Sequence, residues 1–218
     1  MPRLPLFPLG TVLAPGERLP LRIFESRYVV MLRDVLRGDG RGEHGEFGVI
    51  AIRAGEEVGE GRARELADVG CAARLVAVSE ADDGFDVVAE GTRRFRLEGT
   101  DEEARTPYLS GIVTWLPDRV RDPALAKTLA ERLRGELAAY RAAVGLAPVA
   151  LPADVTGMSF AAMHLVRLDV ADRQELLADR DVDRRLRRAL SLTRREATLQ
   201  SVLGAMPGRY VPSRAAAN

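Results

Sequence analysis

Lysine is almost missing from this chain of 218 residues: its 32 basic side chains are 31 arginines and the single Lys127. A phosphate-binding loop needs Gly-Lys followed by Ser or Thr, with the lysine on the β- and γ-phosphates. Lys127 precedes Thr128 but follows Ala126, so that loop is absent from the sequence. A Ser–Lys dyad or a Schiff-base lysine would also have to use Lys127, which reads as a solvated helix position. Most ATP-driven and lysine-dependent chemistry is excluded on this count. Cysteine is as scarce. Cys71 alone builds neither a disulfide framework nor a Cys-rich zinc site. The two histidines, His44 and His164, lack a metal ligand four residues on, where Gly48 and Leu168 stand. No apolar run approaches the roughly 18 residues of a membrane-spanning helix. The opening Met1-Pro2-Arg3-Leu4-Pro5 lacks a signal peptide's apolar stretch. A soluble, cytoplasmic protein without metal, cofactor or membrane partner is expected.

What is present describes an ordinary globular chain, 46% hydrophobic and 29% charged. Net charge is zero, yet it is unevenly laid out. Residues 1–118 hold 15 Arg against 21 Asp and Glu, a balance of −6; residues 119–218 hold 16 Arg and one Lys against 11 acids, a balance of +6. Two structural units of opposite sign that attract each other are the preferred explanation, ahead of a basic surface offered to a partner.

Periodicity changes at the same place. Phe47–Ile52, Val69–Ser79, Phe85–Ala89, Arg94–Leu97 and Tyr108–Leu116 read as strands, with Asp83-Gly84 closing a hairpin. One helix interrupts them, carrying Tyr28, Met31, Leu32, Val35 and Leu36, with Ser26 as N-cap and Gly38 as terminator. Prolines 5, 8, 15 and 20 suit an edge strand and its turns, because each lacks a ladder donor. After Pro117 the pattern is helical. Asp122-Pro123 opens a helix with Leu125, Leu129, Leu133 and Leu137, ended by Gly145. Further helices are expected over Ser159–Leu168, after an Asp172 cap, and after an Asp183 cap up to Gly204. The expected organisation is a β-rich subdomain over 1–118, an α-helical bundle over 119–205 and a frayed tail over 206–218.

Candidate chemistry is sparse. Gly40–Gly45 has the G-x-G-x-x-G spacing but follows a helix and precedes a strand, the reverse of a dinucleotide site. His44 and Glu46 form H-x-E without the second cysteine motif that a zinc deaminase needs. His164 reads as a helix packing residue and Cys71 as a small buried thiol. Arg184, Arg185, Arg187, Arg188, Arg194 and Arg195 form a basic cluster, but Asp179, Asp181, Asp183 and Glu196 are interspersed and no aromatic side chain is there for base stacking.

Six elements in order carry a family pattern: Leu4-Pro5-Leu6-Phe7-Pro8-Leu9 with Pro15-Gly16; Pro20 to Tyr28; Phe47-Gly48-Val49; Val69-Gly70; Gly91 with Arg93-Arg94-Phe95; and Pro107-Tyr108. Together they resemble the N-terminal, substrate-binding domain of Lon proteases, in the stand-alone form without ATPase and protease domains. Asp172-Arg173-Gln174, Leu176-Leu177 and Arg185-Leu186 continue the likeness. Cys71 departs from it, standing where threonine is common. The resemblance implies an α+β fold, a PUA-like β pseudo-barrel followed by a C-terminal α-helical bundle. It also implies a non-enzymatic module of protein quality control that binds unfolded or tagged polypeptide segments, alone or beside a protease system. Phe24, Glu25, Arg27, Tyr28, Arg94 and Phe95 are its candidate binding or motif residues; Glu25 is expected to pair with Arg27, Arg22 or Arg94. A groove between strands and helices is the expected place of binding. The alternatives are a nucleic-acid-binding PUA-like protein and a small-molecule pocket or cryptic hydrolase using His164, Cys71 or Glu25.

Overall fold

A computed structural model describes residues 1–38, 45–54, 65–203 and 215–216. The chain divides into two compact units, Met1–Leu116 with Val211–Asn218, and Pro117–Tyr210. The G-x-G-x-x-G segment lies outside the described residues except for Gly45, and so does His44; of the expected tail only Ala215–Ala216 is described.

Among the described residues, the first unit is a mixed sheet of eight strands with one helix. In chain order these are β1 (Arg3–Leu9), β2 (Arg18–Ile23), α1 (Ser26–Arg37), β3 (Glu46–Ala54), β4 (Glu65–Leu66), β5 (Val69–Ala81), β6 (Gly84–Thr100), β7 (Ser110–Trp115) and β8 (Ala215–Ala216). The order is β4-β3-β1-β7-β6-β2-β8, with β5 pairing to both β3 and β6. Pairing therefore runs in a circuit, β1 to β7 to β6 to β5 to β3 and back to β1. Leu4, Leu6, Phe7, Phe47, Phe95 and Val113 are buried in this unit. The Phe7 ring meets Tyr28 of α1 at 4.3 Å and Phe47 edge-on at 6.2 Å. Such contacts add about 0.5–1.5 kcal/mol each to area burial.

β1 corrects the edge-strand expectation, since it pairs on both sides, antiparallel with β7 and parallel with β3. Its prolines fit because the two ladders divide its length. Leu6 donates its N–H to Leu109 on the β7 side. N–H directions alternate along a strand, so Pro8 would donate to that side too, beyond the ladder that ends at Pro5↔Ser110. Pro5 would donate towards β3, whose ladder starts only at Leu6↔Gly48. Each missing donor falls where no partner waits.

Two other boundaries moved. Phe85–Ala89 and Arg94–Leu97 are one seventeen-residue strand, β6. Gly91, which separates them in the sequence, is a close-approach point: a Cβ there would sit 2.2 Å from the Ala14 carbonyl oxygen. Helix α1 ends on Gly38 at φ 71°, as its sequence predicts, but its N-cap is Glu25 rather than Ser26, without a side-chain cap bond.

The second unit holds α2 (Pro123–Ala143), α3 (Val155–Leu165), α4 (Val170–Ala178) and α5 (Val182–Leu203). Asp122, Asp154 and Asp169 each accept an N–H of the first turn of α2, α3 and α4, an arrangement worth about 1 kcal/mol per helix. Asp172 is thus not the cap of α4; it lies inside the helix, buried, with Asp169 in the capping role. At the head of α5, Asp181 accepts the Arg184 amide, while Asp183 accepts the Arg121 amide at 2.8 Å. Met158 to Met163 are all buried, so α3 is the enclosed helix of the bundle. No helix among the described residues is long and apolar enough to cross a membrane.

Candidate functional site

Four of the six sequence candidates meet at the corner where β2 enters α1. Glu25 stands at the N-cap of α1, two residues beyond β2, and its carboxylate accepts an Arg27 guanidinium bond of 2.5 Å. The same guanidinium lies 4.7 Å from the Tyr28 ring centre. Tyr28 is buried and packs α1 on Phe7, while Phe24 is 38% exposed. Of the three arginines expected to pair with Glu25, Arg27 does so. Arg22 bonds Asp83 and Asp86 across the hairpin.

Arg94 and Phe95 are elsewhere, inside β6, at 2% and 0% exposure. Phe95 fills a slot lined by glycine: a Cβ on Gly70 would meet its ring at 2.4 Å, and one on Gly48 at 2.9 Å. The glycines and the Arg-Phe pair of the family pattern are therefore parts of one packed core layer. Neither Arg94 nor Phe95 offers surface to a ligand in this arrangement.

Sequence reasoning missed the far half of β5. The strand pairs with β6 along its whole length, but with β3 only through Cys71–Arg74. From Leu75 to Ala81 no described strand covers its other side. That edge has no proline and no lysine; Glu80 is its one charged side chain. A register shift between Leu75 and Ala77 bulges Val76 outward, leaving it 42% exposed. Edges this long are normally blunted by charge, proline or cover; among the described residues, the bulge and Glu80 are the guards here. Across the same layer, β2 carries β8 in parallel, Leu21↔Ala215 and Arg22↔Ala216. One sheet edge thus accepts an extended segment made of alanines. The clue in the sequence was the run Leu75-Val76-Ala77-Val78, without the charged residues that guard an edge.

In the helical unit the arginine cluster is mostly paired. Arg188 and Arg195 share the buried Asp172 at 3.0 and 2.6 Å. Arg194 holds Glu136. Burial opposes charge on Asp179, but Arg184, bonded to it twice at 2.6 Å, and the Asp181 amide hold its carboxyl below the ordinary range. Arg185 is wholly buried, bonding Ser159, the Asp179 carbonyl and Asp118, with Phe160 3.9 Å beneath its guanidinium.

The chemistry of the remaining candidates is muted. Burial pushes the Cys71 thiol well above its usual range, and it donates to the Ala72 carbonyl at 3.3 Å. A protonated, enclosed thiol is a poor nucleophile. His164 is half-buried in the last turn of α3. No group of three or more His, Cys, Asp or Glu among the described residues could hold a metal ion.

Comparison with known proteins adds what geometry alone does not. The chain is 37% identical over 131 residues to Lon protease 4 of Sorangium cellulosum, a match covering 60% of this chain and 15% of that protein. It is 32% identical over 208 residues to Lon protease 2 of the same organism, covering 88% and 24%. The chain therefore spans a quarter or less of the curated relatives it matches. Among solved structures, the Lon N-terminal domain protein of Xanthomonas campestris superposes with TM-score 0.60 at 29% identity, covering 88% of this chain and 98% of that one. The N-terminal domain of the Mycobacterium avium complex Lon protease gives TM-score 0.66 at 19% identity over the same shares, a likeness of fold. Residues 3–195 match the ATP-dependent protease La (Lon) substrate-binding domain, and the chain belongs to that family.

Proposed function

We propose that this protein is a non-catalytic recognition module that takes up unfolded or tagged polypeptide segments in extended form along the open edge of β5. The observation that carries the reading is the run Leu75–Ala81, which pairs with β6 on one side and with no described strand on the other. Strand addition draws its affinity from main-chain hydrogen bonds, which every peptide can make, and its selectivity from shallow side-chain contacts. That suits a site needing to accept many sequences. The match to a substrate-binding family supports the class of ligand. The pairing of Ala215–Ala216 with β2 supports the mode. We read the circuit of paired strands as a PUA-like pseudo-barrel, from which the β5–β6–β2 layer extends. Energy-driven unfolding and peptide-bond cleavage would be supplied by a protease system in the cytoplasm.

The test is a fluorescence-anisotropy titration of the protein with a dye-labelled unstructured peptide and with its alternately backbone-N-methylated twin. N-methylation removes donors and leaves side chains unchanged, so affinity should fall by about tenfold or more. Replacing Val76 and Ala77 by lysine should have the same effect while circular dichroism is unchanged. Equal binding of both peptides would refute strand addition.

A further inference from the structure

We infer that the groove between α2 and α5 is a docking site for an acidic peptide segment bearing an aliphatic side chain, separate from the β5 edge and not dependent on that reading. The groove encloses about 480 Å³ and is lined by Leu125, Leu129, Arg132, Arg187, Leu190 and Arg194, with Ser191 beside them. Both helices belong to the same unit. Leu129 and Leu190 close its floor, and the half-buried Leu125 stands at one end.

The charges on its rim identify the occupant. Within the arginine cluster of α5, Arg184, Arg185, Arg188, Arg194 and Arg195 each bond a carboxylate. Arg187 has no acidic partner among the described residues, and across the groove neither does Arg132; both are exposed. Two guanidiniums brought to one cleft repel each other, and an anion between them turns that repulsion into attraction. Arg194 on the same wall shows the pairing the others lack, holding Glu136 at 2.8 Å through Nε. Guanidinium forks match carboxylates in bidentate geometry. The leucine floor separates a peptide from a nucleic acid: an aliphatic side chain gains by covering it, whereas a sugar-phosphate chain does not. No aromatic residue lines the groove to stack a base.

The experiment titrates the full chain with a dye-labelled peptide that sets one leucine among glutamates. The controls replace that leucine by serine, or the glutamates by lysines. Only the leucine–glutamate peptide should saturate, and its affinity should weaken with added salt. Changing Arg132→Glu together with Arg187→Glu should weaken it about tenfold or more. Both sites are exposed, and circular dichroism checks the fold; Arg187→Gln provides a milder variant that should also lose affinity. The lysine pair at Val76 and Ala77 should leave this binding unchanged, which keeps failure here distinct from failure at the β5 edge. The inference falls if the serine control binds equally well or if the arginine variants retain affinity. It also falls if a single-stranded oligonucleotide or an anionic lipid vesicle displaces the peptide and loses its own binding in the same variants.

Discussion

Replacing Arg185 by alanine should come close to unfolding the helical unit. The guanidinium is fully buried on α5 and makes three bonds of 2.6–2.7 Å, to Asp118, to the Ser159 hydroxyl and to the Asp179 carbonyl. It also covers the Phe160 ring. Burial pulls the Arg185 pKa down, and the Asp118 carboxylate is the main force opposing that pull. Removing one partner of such a pair strands the other groups, and costs about 3–5 kcal/mol. Against a typical total of about 5–15 kcal/mol, little stability is left. With a urea m-value near 2 kcal/mol/M, the midpoint should fall by about 2 M. Helical circular dichroism is the suitable probe, because four of the five helices among the described residues lie in this unit. Adding Asp118→Ala to the variant should cost less than the sum of the single changes, by about 0.5–3 kcal/mol. A midpoint shift below about 0.5 M for Arg185→Ala would show that the buried guanidinium is not a fixed part of the bundle.

Two further outcomes follow from the first unit. Gly70→Ala places a methyl 2.6 Å from the Val49 carbonyl oxygen and 2.4 Å from Phe95; a loss of about 3 kcal/mol is expected. The fluorescence of Trp115, the sole tryptophan, reads that loss within the same unit, and wild-type stability in the variant would contradict the packed slot. Cys71 titrates, when free, near its ordinary value of 9.0 and is held protonated by burial. Labelling of the folded protein should therefore stay flat as pH rises through 9. The sign for stability is the reverse: the buried thiol's contribution is complete below pH 9 and is lost as pH rises above it, because only the unfolded chain can then ionise. Rapid labelling of folded protein at pH 9 would refute the enclosed thiol.

Much of the architecture was legible because local chemistry and tertiary structure agree. Asp122-Pro123, Gly38 and Asp83-Gly84 each mark a boundary by a mechanism that acts within a few residues, and the observed elements start or stop there. The errors share a different cause. Ser26, Asp172 and Asp183 are all good capping residues, but Glu25, Asp169 and Asp181 precede them in the cap positions, and two polar residues within three positions do not say which is the cap. The prolines of β1 suggested an edge because strand sequence records a missing donor but not the direction it would have faced. Of the six candidate site residues, four gather at the β2–α1 corner and two lie in the core of β6. The family pattern marks residues that must fit together, and a fully buried Phe95 fulfils that role without touching a ligand. The β5 edge was hard to read for the opposite reason: the uncharged run Leu75–Val78 hints at it, but a strand's sequence does not state how many neighbours it has.

The divided pairing of β1 has a consequence for synthesis. Its forward half is completed by β3, but its first residues wait for β7, where Arg3 finally meets Ile112. At about 5–20 residues per second on the ribosome, the nascent chain carries Leu4 without its strand partner for several seconds before β7 emerges. Until then the start of the chain is a strand with one ladder still open, and its burial depends on the synthesis of the whole first unit.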